Sequence, residues 1–105
     1  MGRESPLIRR LRAFKSEVNS DFPVQKMILF GSRAKGKKGK DVDFDLVIVS
    51  EKFRRLNFIE RSARMYDYWK LEYPADFLCY TPEEFARKKK QITIVREALL
   101  EGIAI

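Results

Sequence analysis

The chain has 105 residues, 45% of them hydrophobic and 35% charged, which excludes wholesale disorder and fibrous repeats and leaves room for one domain with one core. Twenty-two Lys plus Arg against 15 Asp plus Glu give a net charge of +7, a balance that favours polyanionic ligands such as nucleotides or nucleic acid. One cysteine, Cys79, and no histidine exclude an intrachain disulfide, Ser–His and Cys–His catalysis and a histidine-ligated zinc, so any chemistry must run on carboxylates, lysines, hydroxyls and a bound metal.

Ser5-Pro6 is a helix start, a capping hydroxyl followed by a proline whose missing N–H is not needed there. Leu7, Leu11, Phe14 and Val18 then recur along one helical face, with Arg9, Arg10, Arg12 and Lys15 mostly outside it. Asp21-Phe22-Pro23 ends that helix. Gln25 to Phe30 is a short apolar run that stops at Gly31, as a buried strand does. Gly31 to Lys40, GSRAKGKKGK, holds three glycines and five basic residues and reads as a loop with at most one helical turn.

Asp41 to Ser50 is the second expected strand. Its alternation puts Asp43, Asp45, Val47 and Val49 on one face and Phe44, Leu46 and Ile48 on the other. A helix is expected from Arg54 to Lys70, and a break at Pro74 precedes a third strand, Ala75 to Tyr80. Thr81-Pro82-Glu83-Glu84 is a capping box opening a further helix. Ile92 to Glu101 reads as another helix ended by Gly102, with Ile103 to Ile105 as a short terminal strand. The expected class is α/β (α+β), a small mixed sheet of three to four strands with helices packed on it, in a single domain over residues 1–105. No apolar run nears the ~20 residues that span a bilayer, and the N-terminus lacks an apolar signal segment, so no membrane association is expected.

Asp43 and Asp45 lie about 6.5–7 Å apart along one strand face, from a rise of ~3.3 Å per residue. Val47 and Val49 carry that face into apolar surroundings, where paired anions repel and lose hydration unless a cation sits between them. Hard oxygen ligands suit Mg²⁺, which also takes ligands from substrate phosphates. A lone D-x-D is ordinarily a solvated strand end. Here it follows Gly31-Ser32, where free N–H groups of a helical turn could hold phosphate oxygens. Asp76 begins a similar face with Leu78 and Tyr80, and is the natural third ligand if its strand pairs beside the second.

Arg33 and Lys35 lie within the glycine-rich motif and are candidates to draw in phosphates, whereas Lys37, Lys38 and Lys40 read as a solvated basic loop. Tyr66, Tyr68, Trp69 and Tyr73 could stack on a base, but such clusters are more often a helix packing on a sheet. Arg87 to Lys90 is a basic run that suits a helix C-terminus, and Cys79 falls opposite Asp76 as a small buried hydrophobe.

GSRAKG at 31–36, DVDFDLVIV at 41–49 and ADFLCY at 75–80 together resemble the minimal nucleotidyltransferases of the DNA polymerase β superfamily. The tail REALLEGIAI at 96–105 is also similar to that of many members. Val42 stands where many members carry serine, outside the proposed metal pair. The resemblance covers nearly the whole chain. It implies the nucleotidyltransferase fold, Gly31, Ser32, Arg33 and Lys35 as nucleotide-binding residues, and Asp43, Asp45 and Asp76 as catalytic ligands of two Mg²⁺ ions, with Mn²⁺ as a substitute.

It further implies transfer of a nucleoside monophosphate, favouring AMP from ATP, to an acceptor hydroxyl with release of pyrophosphate, in a cytoplasmic protein. Minimal members often pair with a small all-helical HEPN protein in toxin–antitoxin systems and adenylylate a tyrosine of the toxin. The chain is short for an acceptor-binding domain, so such a partner, or a homodimer, is expected to supply the acceptor. Two alternatives stand beside this: a non-catalytic antitoxin that works by covering its partner, and a basic nucleic-acid-binding domain whose affinity would fall steeply with salt.

Overall fold

A computed structural model describes residues 5–91 and 94–105. Helix α1 spans Pro6–Asp21, capped by the Ser5 side chain, which accepts from the Ile8 N–H. Strand β1 is Lys26–Phe30 and the single-turn helix α2 is Gly31–Ala34, the one turn allowed by the sequence. Strand β2 is Phe44–Val49, a 3₁₀ turn covers Glu51–Arg55, α3 is Phe58–Tyr66 and β3 is Ala75–Tyr80. Helices α4, Pro82–Lys88, and α5, Ile94–Glu101, lead to the two-residue strand β4, Ile103–Ala104. The expected start of the helix at Ile92 lies outside the described residues.

The four strands form one mixed sheet in the order β3-β2-β1-β4. β1 runs antiparallel to both β2 and β4, whereas β2 and β3 are parallel and joined by the crossover through α3. The two faces of β2 divide the core as its alternation predicts. Phe44, Leu46 and Ile48 pack with Leu11, Phe14 and Val18 of α1 and Met65 of α3. Val47 and Val49 pack on the other side with Phe85 of α4 and Val95 and Ala98 of α5. Helices thus cover both faces. Burying these apolar side chains is the main stabilising term, on the order of 1.5–3 kcal/mol for each large one.

On the first face the aromatic residues form a cluster. Trp69 meets Phe14 edge-on at 5.1 Å, Phe77 at 5.5 Å and Phe44 at 5.6 Å between centroids. The aromatic segment is therefore packing material. Cys79 is buried on this same face, and burial pushes its thiol up to about 12 against a smaller opposing pull from Arg61.

The expected single helix from Arg54 to Lys70 is corrected. Ser50 caps the 3₁₀ turn by accepting from the Lys52 N–H, and the chain then re-extends at Leu56. Asn57 starts α3 afresh through a capping box with Glu60, at 2.9 and 3.0 Å, so two short elements replace one long one. β2 also begins at Phe44, later than Asp41, which leaves Asp43 just ahead of the strand.

Candidate active site

Register places the carboxylates. Pairing of β2 with β3 sets Asp45 directly beside Asp76, and pairing of β1 with β2 sets Phe30 beside Asp45. Asp43 precedes Asp45 by two residues and points to the same side. One oxygen from each of Asp43, Asp45 and Asp76 lies within 4.8 Å of the others. Asp43 and Asp76 are exposed, and Asp45 is partly buried. Burial first, and then the charges of Asp76 and Asp43, push the Asp45 carboxyl above its ordinary range.

Three converging carboxylates, with no ion pair to a cationic side chain among the described residues, form a hard-oxygen donor set that fits a divalent cation such as Mg²⁺. Gly31 completes the fit from below. Its φ is +70°, and a Cβ at this position would overlap Oδ2 of Asp45. Only a residue without a side chain lets the backbone turn sharply off β1 while the carboxylate lies against it.

Asp45 is also part of the wall of a cavity of about 210 Å³, lined further by Phe30, Gly31, Ser32, Lys35, Glu97, Ala98 and Glu101. Gly31 and Ser32 form the first turn of α2, where backbone N–H groups have no intrahelical acceptor. The turn ends in a Schellman pattern. Lys37 N–H donates to Ser32 O at 3.0 Å and Gly36 N–H to Arg33 O at 3.1 Å, with Gly36 at φ +92°. Lys35 faces Glu101 of α5 at 3.6 Å across the cavity.

The structure thus brings together Gly31, Ser32, Lys35 and Asp45, with Asp43 and Asp76 beside Asp45. Arg33 is set apart. It is only 8% exposed and does not line this cavity. Its Nε donates to Val42 O at 3.0 Å and its Nη2 to Gly39 O at 2.6 Å.

Sequence reasoning missed Glu97 and Glu101. Their i, i+4 spacing puts them on one face of α5, but nothing in the sequence says that this face overhangs the carboxylates. Tyr66 belongs to the aromatic packing cluster through Phe77. Its hydroxyl also donates to Ala75 O at the start of β3, next to Asp76. Burial, followed by the charges of Asp76 and Asp43, raises its phenol above the ordinary value.

The model of the nucleotidyltransferase domain family matches residues 11–100. The chain belongs to the nucleotidyltransferase domain family. Among solved structures, it is similar to a candidate nucleotidyltransferase from Sulfolobus solfataricus, with a TM-score of 0.56 and 22% identity over 99% of this chain and 89% of that one. At that identity the likeness is one of fold, and the mixed α+β sheet is the nucleotidyltransferase fold. No match is found among curated proteins. Among the described residues, no helix is long and apolar enough to cross a membrane.

Proposed function

We propose that this chain transfers a nucleoside monophosphate, AMP from ATP by preference, to an acceptor hydroxyl, with Mg²⁺ held by Asp43, Asp45 and Asp76. The observation that carries the reading is the register pairing of Asp45 with Asp76, which gathers three carboxylates beside a cavity floored by Gly31 and Ser32. The acceptor oxygen bonds to the α-phosphorus, the bond from that phosphorus to the α–β bridging oxygen breaks, and pyrophosphate leaves.

The first-turn amides at Gly31 and Ser32, with the Lys35 ammonium, bind and orient the triphosphate oxygens. Asp43, Asp45 and Asp76 would hold two divalent ions, which when bound would supply charge neutralisation on the attacking and leaving oxygens and lower the acceptor hydroxyl's pKa. Asp76 is exposed and accepts the hydroxyl proton, a role that calls for no histidine.

The proposed acceptor is a hydroxyl on a small helical HEPN-type partner of which this chain is the cytoplasmic antitoxin; this part rests on the family resemblance. Leu100, 77% exposed on the helix whose Glu97, Ala98 and Glu101 line the cavity, is an apolar contact that such a partner would cover. A partner covering Leu100 would lie beside the site.

Calorimetric titration of ATP tests the reading, with Mg²⁺, with EDTA, and with the Asp43→Asn/Asp45→Asn double variant. Mg²⁺-dependent binding that the double substitution removes is expected. Binding that persists in EDTA, or in the double variant, would overturn it.

A further inference from the structure

Arg33 sits in the middle of the glycine-rich motif, yet its guanidinium is turned away from the cavity and into the protein. Its Nε and Nη2 hold the carbonyls of Val42 and Gly39, at 3.0 and 2.6 Å. Its Cζ lies over two rings, 4.3 Å from the centroid of Phe44 and 4.7 Å from that of Tyr73. Val42 immediately precedes Asp43, Phe44 separates Asp43 from Asp45, and Tyr73 lies three residues before Asp76.

One side chain therefore touches the segment ahead of each of the three carboxylates. Without it, residues 38–43, a stretch of lysine, glycine, aspartate and Val42, would be fastened within itself by one 3.3 Å hydrogen bond, from the Val42 N–H to Gly39 O. Asp43, outside the β2 ladder, would then be held on its C-terminal side alone, where the Phe44 N–H donates to Pro74 O at 2.9 Å.

We infer that Arg33 is a positioning residue: it fixes the loop over 39–42 and the Phe44 and Tyr73 rings so that Asp43 is held in ligand geometry with Asp45 and Asp76. The inference rests on the metal reading proposed above. Only a planar fork with stacking faces satisfies two carbonyls and two rings together; a lysine offers a point charge with neither geometry. Groups that orient metal ligands in this way are typically worth about 10–100-fold in metal affinity.

The test uses the full chain as wild type, Arg33→Lys and Arg33→Met, with Mn²⁺ as the probe. Free Mn²⁺ is followed by electron paramagnetic resonance and backbone hydrogen exchange by mass spectrometry. In both variants, exchange is expected to quicken over residues 39–45 and stay unchanged over 26–30 and 46–49, while Mn²⁺ affinity falls at least about tenfold. If Arg33→Met fails to fold, Arg33→Lys carries the comparison.

Folded variants that bind Mn²⁺ as tightly as wild type would overturn the inference and leave the metal reading standing. So would a lysine variant that restores both affinity and exchange. A wild type that binds no Mn²⁺, or binds it equally well as Asp43→Asn/Asp45→Asn, would overturn the metal reading and the inference with it.

Discussion

Arg61 of α3 grips Glu84 of α4 through two hydrogen bonds, Nη1 to Oε1 at 2.6 Å and Nη2 to Oε2 at 3.3 Å. The same guanidinium donates to the carbonyls of Phe53, Leu56 and Cys79 at 2.9, 2.9 and 3.1 Å. It thereby ties the end of the 3₁₀ turn, the end of β3 and the first turn of α4 into one knot. Glu84 closes it by accepting from the Thr81 N–H at 2.8 Å as half of the capping box.

Arg61→Met is expected to cost about 2–4 kcal/mol, because it strands a partly buried carboxylate and takes a donor from three carbonyls, of which Phe53 O keeps the Leu56 N–H. Burial alone would raise the Glu84 carboxyl, but the hydrogen bonds from Arg61 and the Thr81 N–H outweigh it and leave it lowered. A lowered carboxyl adds stability that is present above its unfolded value, near 4.5, and is lost as pH falls through the folded value. Denaturant titrations across that acid range should show the loss in wild type and a flatter profile in Glu84→Gln.

Asp45 has the opposite sign. Its folded value is raised above the ordinary 3.8, so its contribution is favourable only while it is protonated and is lost as pH rises through the folded value. At neutral pH the ionised group weighs against folding. Asp45→Asn should therefore stabilise the metal-free protein, by about 0.5–2 kcal/mol, while abolishing the rise in melting temperature that Mg²⁺ is expected to give wild type. Thermal melts with and without Mg²⁺ read both effects; a metal-free Asp45→Asn that melts lower than wild type would contradict this balance.

Gly31→Ala meets two obstacles at once, a left-handed backbone angle and the Asp45 carboxylate. The conformation alone costs about 1–2 kcal/mol. Relief requires the carboxylate to move, so metal binding should weaken together with stability. A melt and a Mn²⁺ titration on the same sample check whether the two losses occur together.

Lys35 and Glu101 are both well exposed, so their ion pair should contribute under about 1 kcal/mol to stability. Its effect falls on the ligand. Glu101 competes with phosphate oxygens for the same ammonium, so Glu101→Gln should tighten ATP binding and Lys35→Met should weaken it, with both melting temperatures nearly unchanged. Calorimetry at two salt concentrations would show the Lys35 contribution shrinking as salt rises.

What could be read beforehand, and what could not, follows from the range of each signal. β3 was legible to the residue because Pro74 precedes it and the Thr81 capping box follows it. The carboxylate face of β2 was legible because alternation is a local property. The break at Asn57 carried its own local signal, Asn-x-x-Glu, which a helical reading of the apolar residues on either side overrode. Glu97, Glu101 and the inward turn of Arg33 had no such signal. Each depends on which neighbour a side chain meets across the sheet, and motif spacing does not encode that.

Asp45 and Asp76 are neighbours across parallel strands, yet 31 positions separate them along the chain. Their mutual repulsion is absent until the crossover through α3 has closed and the two strands have come into register. Closing that span carries an entropic cost that must be met before the pair exists. Where the pairing is completed after the folding barrier, a cation bridging the two carboxylates finds its site only on the native side. It should slow escape from the folded state while leaving the speed of folding almost untouched. For this domain, divalent metal would act on lifetime more than on assembly.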